Sequence, residues 1–153
     1  MARADDPYDL ARFVQAQADD YAPALAELQA GRKQSHWIWY ILPQLRGLGS
    51  SSMAVRYGIA SLDEARAYLE HPVLGARLRE CVAAINAHGA DGDGPSAEAM
   101  LGSIDAQKFR SCLTLFIAAA AGDAPTRQLL EQALDRYYGG APDQRTLALL
   151  GKA

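Results

Sequence analysis

The chain has 153 residues, 50% of them hydrophobic, 22% charged and 8% aromatic, enough to bury roughly two-thirds of its unfolded surface without disulfide staples and unlike a disordered or fibrous chain. Eighteen acidic against fifteen basic residues give a net charge of −3, which excludes the overall basic field of a nucleic-acid or anionic-lipid binder, so no nucleic-acid partner is expected. The acidic start lacks the apolar core of a secretory signal, and no apolar run approaches the roughly 20 residues of a bilayer span, so a cytoplasmic protein with no membrane partner is expected.

In chain order, Asp9 precedes Leu10, Phe13, Val14 and Gln17, a helical spacing with an N-cap in front. A second helix is predicted over 20–30, with Pro23 in its first turn and Gly31 as its stop, so the two read as a helical hairpin. Residues 35–42, Ser-His-Trp-Ile-Trp-Tyr-Ile-Leu, read as a helix capped by Ser35 and ended before Pro43; their strand-favouring residues keep a strand as the alternative. The Gly/Ser run 47–52 reads as a loop. Ser61 and Glu64 form a capping box ahead of a helix to Leu69. Pro72 then opens a helix carrying Leu74, Leu78, Cys81, Val82 and Ile85, which ends near His88 and Gly89. Residues 89–95, rich in Gly and Asp, read as a surface linker.

Asp105 is expected to cap a long apolar helix with Phe109, Leu113, Phe116 and Ile117 on one face, ending at Ala121 and Gly122. This is the expected central core helix. Pro125 opens another, closed by Gly139 and Gly140, and a last short helix covers 143–150. Short connections and no repeat predict one mainly α, compact multi-helix domain over 1–153. Cys81 and Cys112 lie inside apolar helical patterns and read as buried, reduced small hydrophobes.

The densest candidate stretch is 31–44. Arg32 and Lys33, next to a helix start and the 47–52 loop with Ser50 and Ser51, suit a phosphate through charge, helix-end N–H groups and hydroxyls together. Trp37, Trp39, Tyr40 and Gln44 would then meet a base or sugar, with His36 or Glu64 handling protons. The competing reading makes the rings core, His36 a hydrogen-bonded core histidine and Arg-Lys a solvated turn. His71 and His88 read as caps at element ends. The three histidines lack metal spacing, so no metal is expected, and no Walker loop, dinucleotide fingerprint or nucleophile elbow suggests a cofactor or reaction. A second candidate is Lys108 with Ser111, three apart on one helix face beside Cys112, for phosphate or carboxylate binding.

The motifs Phe-Val-Gln-Ala-Gln at 13–17, the run 31–45, Gly-Leu-Gly-Ser-Ser at 47–51, Tyr57-Gly58-Ile59, His71-Pro72 and 108–116 resemble the DUF 1810 family. That resemblance spans nearly the whole chain and implies a mainly helical domain but no established reaction. Phe13 to Gln17 is also somewhat similar to the NADAR group, N-glycosidases that remove ADP-ribose from nucleobases, although Val14 departs from that group's aromatic-Gln-Ala pattern. The resulting expectation is a small-molecule binder or hydrolase acting on a nucleotide or ADP-ribose-like ligand. The alternative is a non-catalytic protein-interaction module with a structural aromatic cluster.

Overall fold

The computed structural model describes residues 6–89 and 94–152. Among them are nine helices: α1 (Ala11–Ala30), α2 (Ile38–Ile41), α3 (Ser52–Tyr57), α4 (Leu62–Glu70), α5 (Leu74–His88), α6 (Ala97–Leu101), α7 (Ser103–Ala119), α8 (Ala124–Tyr138) and α9 (Gln144–Lys152). The protein is mainly α. The one extended pairing in the described residues is an isolated parallel bridge between Leu45 and Ile59, closed by Arg46 N–H to Ile59 C=O at 2.8 Å and Ile59 N–H to Gln44 C=O at 3.0 Å.

The expected hairpin at the N-terminus is instead one continuous helix, α1, with Pro23 in its interior. Proline removes the bond to the carbonyl four residues back, that of Asp19, and both residues lie on the exposed side, where water can take the freed carbonyl. Asp9 does not cap this helix. It adopts a positive φ of 52°, and the Asp6 carboxylate accepts from Leu10 N–H at 2.8 Å and Ala11 N–H at 3.0 Å.

Three further boundaries differ from expectation. The helix predicted from Ser35 begins only at Ile38, because the preceding segment is tied to α1. Asp105 does not cap α7, which starts at Ser103 after Gly102; its carboxylate pairs with lysines instead. That helix ends at Ala119, with Ala120 rather than Gly122 as its C-cap. Two short helices, α3 and α6, were not foreseen; Ser51 and Ser96 cap them, at 3.1 and 3.0 Å. Within the expected linker 89–95, residues 90–93 lie outside the described residues.

The capping box holds in shifted form: Ser61 Oγ accepts from Glu64 N–H at 3.1 Å, while Glu64 reaches Ala60 N–H at 3.0 Å. Helix α7 is the centre of the core, as its pattern predicts. Phe109, Cys112, Leu113, Leu115 and Phe116 are completely buried, and α4, α6, α8 and α9 pack around it while α1 packs on α2 and α5. A helix apolar on so many faces must be interior. Phe13 packs edge-on against Tyr68, centroids 5.2 Å apart, a geometry favoured by the ring quadrupoles, and Tyr68 in turn meets Phe116 of α7 at 5.3 Å. Both cysteines are free and buried.

His71 and His88 act at helix ends, though each serves a helix other than its own. His71 Nδ1 accepts from Val73 and Leu74 N–H at 3.1 and 3.2 Å, capping the start of α5. His88 Nε2 lies 2.7 Å from Leu28 C=O in the last turn of α1. No helix of the described residues is long and apolar enough to cross a membrane.

Candidate functional site

The polar tips of the aromatic motif are gathered by one carboxylate. After α1 the chain turns through Gly31, at φ 78°, with the His88 ring 3.1 Å from where a Cβ would sit. It then wraps Glu27, whose oxygens accept from Gln34 N–H (2.8 Å), Ser35 N–H (2.9 Å), Ser35 Oγ–H (2.7 Å) and Trp37 Nε1–H (2.9 Å). Burial by itself would raise the Glu27 pKa, but these four donors outweigh it and hold the carboxyl at about 2. Sequence reasoning missed this residue. The signal is an acid in the last turn of a helix, against the macrodipole, which has to be compensated by donors from elsewhere.

Beyond this wrap lies a cluster of two lysines, two tryptophans and one aspartate. Lys33 Nζ is 2.8 Å from Asp105 Oδ2, donates to Ser35 C=O and stands 4.9 Å from the Trp37 ring centre. Lys108 Nζ is 4.0 Å from Asp105 Oδ1 and 5.1 Å from the Trp39 ring centre. Asp105 thus belongs chiefly to Lys33. Trp39 Nε1–H is buried without a hydrogen-bond partner, and its ring borders a void of about 10 Å³ together with Gln44, Met53 and Lys108, about the space one water molecule needs.

Gln44 and Lys108 also line a groove of about 480 Å³ between loop 47–51, the first turns of α7 and the start of α9. Leu48 and Gly49 form one wall; Ser103, Ile104, Gln107 and Ser111 form the floor; Asp143 and Arg145 form the other wall. Gly49 lets the loop pack on α3, since a Cβ there would fall 2.9 Å from the Ala54 Cβ, and Arg145 Nη2 ties the loop to α9 by donating to Leu48 C=O at 3.2 Å. Asp143 is engaged as the α9 cap, accepting from Thr146 N–H at 2.9 Å and from its hydroxyl at 2.6 Å. Ser111 Oγ donates to Gln107 C=O at 3.2 Å. The groove is thus lined by two cations, Lys108 and Arg145, and one carboxylate, that of Asp143, so its lining carries a net positive charge.

The groove brings together Gln44, Lys108 and Ser111 of the residues singled out from sequence. It adds Arg145 and Gln107, which no motif marks, since α9 meets α7 and the loop only in the folded chain. The other candidates lie elsewhere. Arg32 and His36 are exposed on the Glu27 wrap, whereas Trp37 and the side chain of Lys33 are buried in it. Tyr40 is buried with its hydroxyl on Asp20. Ser50 is exposed and Ser51 caps α3. Glu64 is 3% exposed and held by Arg12 at 2.7 Å, and this arginine also donates to the carbonyls of Tyr8, Arg56 and Gly58. A larger cleft of about 700 Å³ lies among α4, α5 and the α7–α8 turn; its lining includes two arginines, Arg66 and Arg79, and two acids, Glu70 and Asp123, and so is balanced in charge. Among the described residues no three His, Cys, Asp or Glu side chains are placed to hold a metal ion.

No curated protein matches the chain. Among solved structures it is similar to the conserved hypothetical protein Rv1873 from Mycobacterium tuberculosis, with 50% identity, a TM-score of 0.87, and coverage of 95% of this chain and 99% of that one. The family model described as "Protein of unknown function (DUF1810)" matches residues 7–150, so with almost its entire length inside that model the chain belongs to the DUF1810 family.

Proposed function

We propose that the protein binds a small anionic molecule of the nucleotide or ADP-ribose type in the groove between loop 47–51, α7 and α9. The observation that carries this reading is the convergence of two cations against one carboxylate, Asp143, in a concave groove: Lys108, at 4.0 Å from an Asp105 that is held more closely by Lys33, and Arg145, bonded only to a carbonyl among the described residues. Gln44 and Gln107 offer both donors and acceptors there. The 73%-exposed Ile104, which lines the groove beside Leu48, supplies apolar area suited to a base or ribose face. His36 and Glu64 do not line this groove, so the reading is one of binding rather than hydrolysis.

The test is a thermal-shift and calorimetric panel of nucleotides, ADP-ribose, NAD and sugar phosphates. A ligand that binds the folded state raises the midpoint by mass action. The rise is expected to vanish in Lys108→Ala and Arg145→Ala and to persist in His36→Ala; a panel without any response refutes the proposal. Exposed Ile104 and Leu147 favour one second reading, a protein-interaction module, which predicts a flat panel and a partner whose binding is lost in Ile104→Asp.

A further inference from the structure

We infer that Lys33 is a positioning residue for the groove: by holding Asp105 at 2.8 Å it keeps the Lys108 ammonium only loosely paired, at 4.0 Å, and able to meet an anionic group of the ligand, a phosphate or pyrophosphate. This rests on the groove being the binding site. Lys33 and Lys108 approach the same carboxylate from two sides, at 2.8 and 4.0 Å. Their surroundings differ. The Lys33 side chain is 6% exposed, that of Lys108 24%, so Lys33 has little water to balance its charge and needs Asp105 far more, and a close, desolvated pair is the stronger one. The Ser35 carbonyl and the Trp37 face complete its cage.

Lys108 sits one helical turn from Asp105, a spacing at which an acid and a base pair directly. Removing the Lys33 charge hands Asp105 to Lys108, drawing the ammonium off Trp39 and neutralising it against the carboxylate. Half of the cationic pair at the groove is then lost although nothing that lines the groove has been altered. Removing the Asp105 charge as well releases Lys108 again. The arrangement accounts for a lysine in the 31–44 motif that does not itself reach the groove.

The experiment is calorimetric titration of inorganic pyrophosphate and ADP-ribose into the wild type, Lys33→Met, Lys33→Met/Asp105→Asn and Lys108→Ala, with melting curves for each. Expected is a loss of about tenfold in Lys33→Met, the equivalent of about 1.4 kcal/mol, and recovery to within about threefold of wild type in the double variant, where both charges leave together. Wild-type affinity in Lys33→Met overturns the inference. So does a double variant that melts cooperatively yet fails to recover binding, which decides the matter even if Lys33→Met alone does not fold. In both cases the groove reading survives if Lys108→Ala still abolishes binding. Wild type that binds neither probe, or Lys108→Ala that binds as wild type, overturns the groove and with it this inference.

Discussion

Replacing Glu27 tests whether the aromatic motif is held by one carboxylate. Its carboxyl sits at about 2 against an ordinary 4.5, a difference that in a fully buried group corresponds to roughly 3 kcal/mol. Glu27 is partly exposed, so solvent screening reduces the expected contribution to about 1–2 kcal/mol. Glu27→Gln keeps an acceptor in place for Gln34, Ser35 and Trp37 and removes only the charge, so it is expected to cost about 1–2 kcal/mol at pH 7. Glu27→Ala also leaves the indole N–H of Trp37, a residue 1% exposed, without its acceptor, for a total of about 3 kcal/mol and a midpoint lower by roughly 6–12 °C. Because the folded pKa is depressed, the stabilisation is complete above about 4.5 and is lost as pH falls towards about 2. Urea unfolding of wild type and Glu27→Gln between pH 7 and pH 2.5 should therefore converge in acid. Parallel curves across that range, or an alanine variant as stable as wild type, would refute the reasoning.

Three further outcomes follow from packing and burial. A Cβ on Gly75 would lie 2.0 Å from Leu69 C=O, whereas one on Gly122 meets nothing within 4 Å; Gly75→Ala should cost more than about 2 kcal/mol and Gly122→Ala less than about 0.5 in urea unfolding, and equal costs would contradict the close α4–α5 approach. Gln17, 1% exposed, donates to Tyr40 C=O at 2.7 Å and Tyr68 Oη at 3.2 Å and accepts from Arg77 at 3.2 Å, so Gln17→Leu should cost about 2–3 kcal/mol by stranding buried partners, and an unchanged midpoint would remove the network from the stability argument. Burial pushes the Cys81 thiol up to about 12 and Cys112 higher still. At pH 8 neither should react with a thiol reagent until the chain opens, whereas both react in denaturant; rapid labelling of the native protein would place a thiol at the surface.

Much of the fold was legible because its signals are local. The Ser61 cap, Pro125 at the start of α8 and the left-handed Gly139 at its end each act within a turn of their own position. The apolar spacing of α7 marks it as the interior helix before any contact is known. Where local rules failed, a contact from outside the segment or exposure to water decided. Pro23 should open a second helix, but it faces water, so α1 runs through it. Ser35 should cap a helix, but its hydroxyl is taken by Glu27. Asp105 should cap α7, but its carboxylate answers a lysine brought in from the end of α1.

The candidate site divides along the same line. Residue types suited to anion binding, a lysine with a serine three residues on and a Gly/Ser loop, can be read from the chain itself, and so can the family resemblance carried by 31–45. Which of them share a surface cannot. The cations closest in sequence to the aromatic cluster, Arg32 and Lys33, stay with the α1 wrap, whereas Lys108 and Arg145, 37 positions apart in the sequence, meet across the groove because α9 packs back on α7 and clips the loop through Leu48. Periodicity and caps are properties of neighbouring residues, so sequence determines the helices and most of their ends. Burial, charge pairing and the shape of a groove depend on which helices meet, and these only the tertiary structure decided.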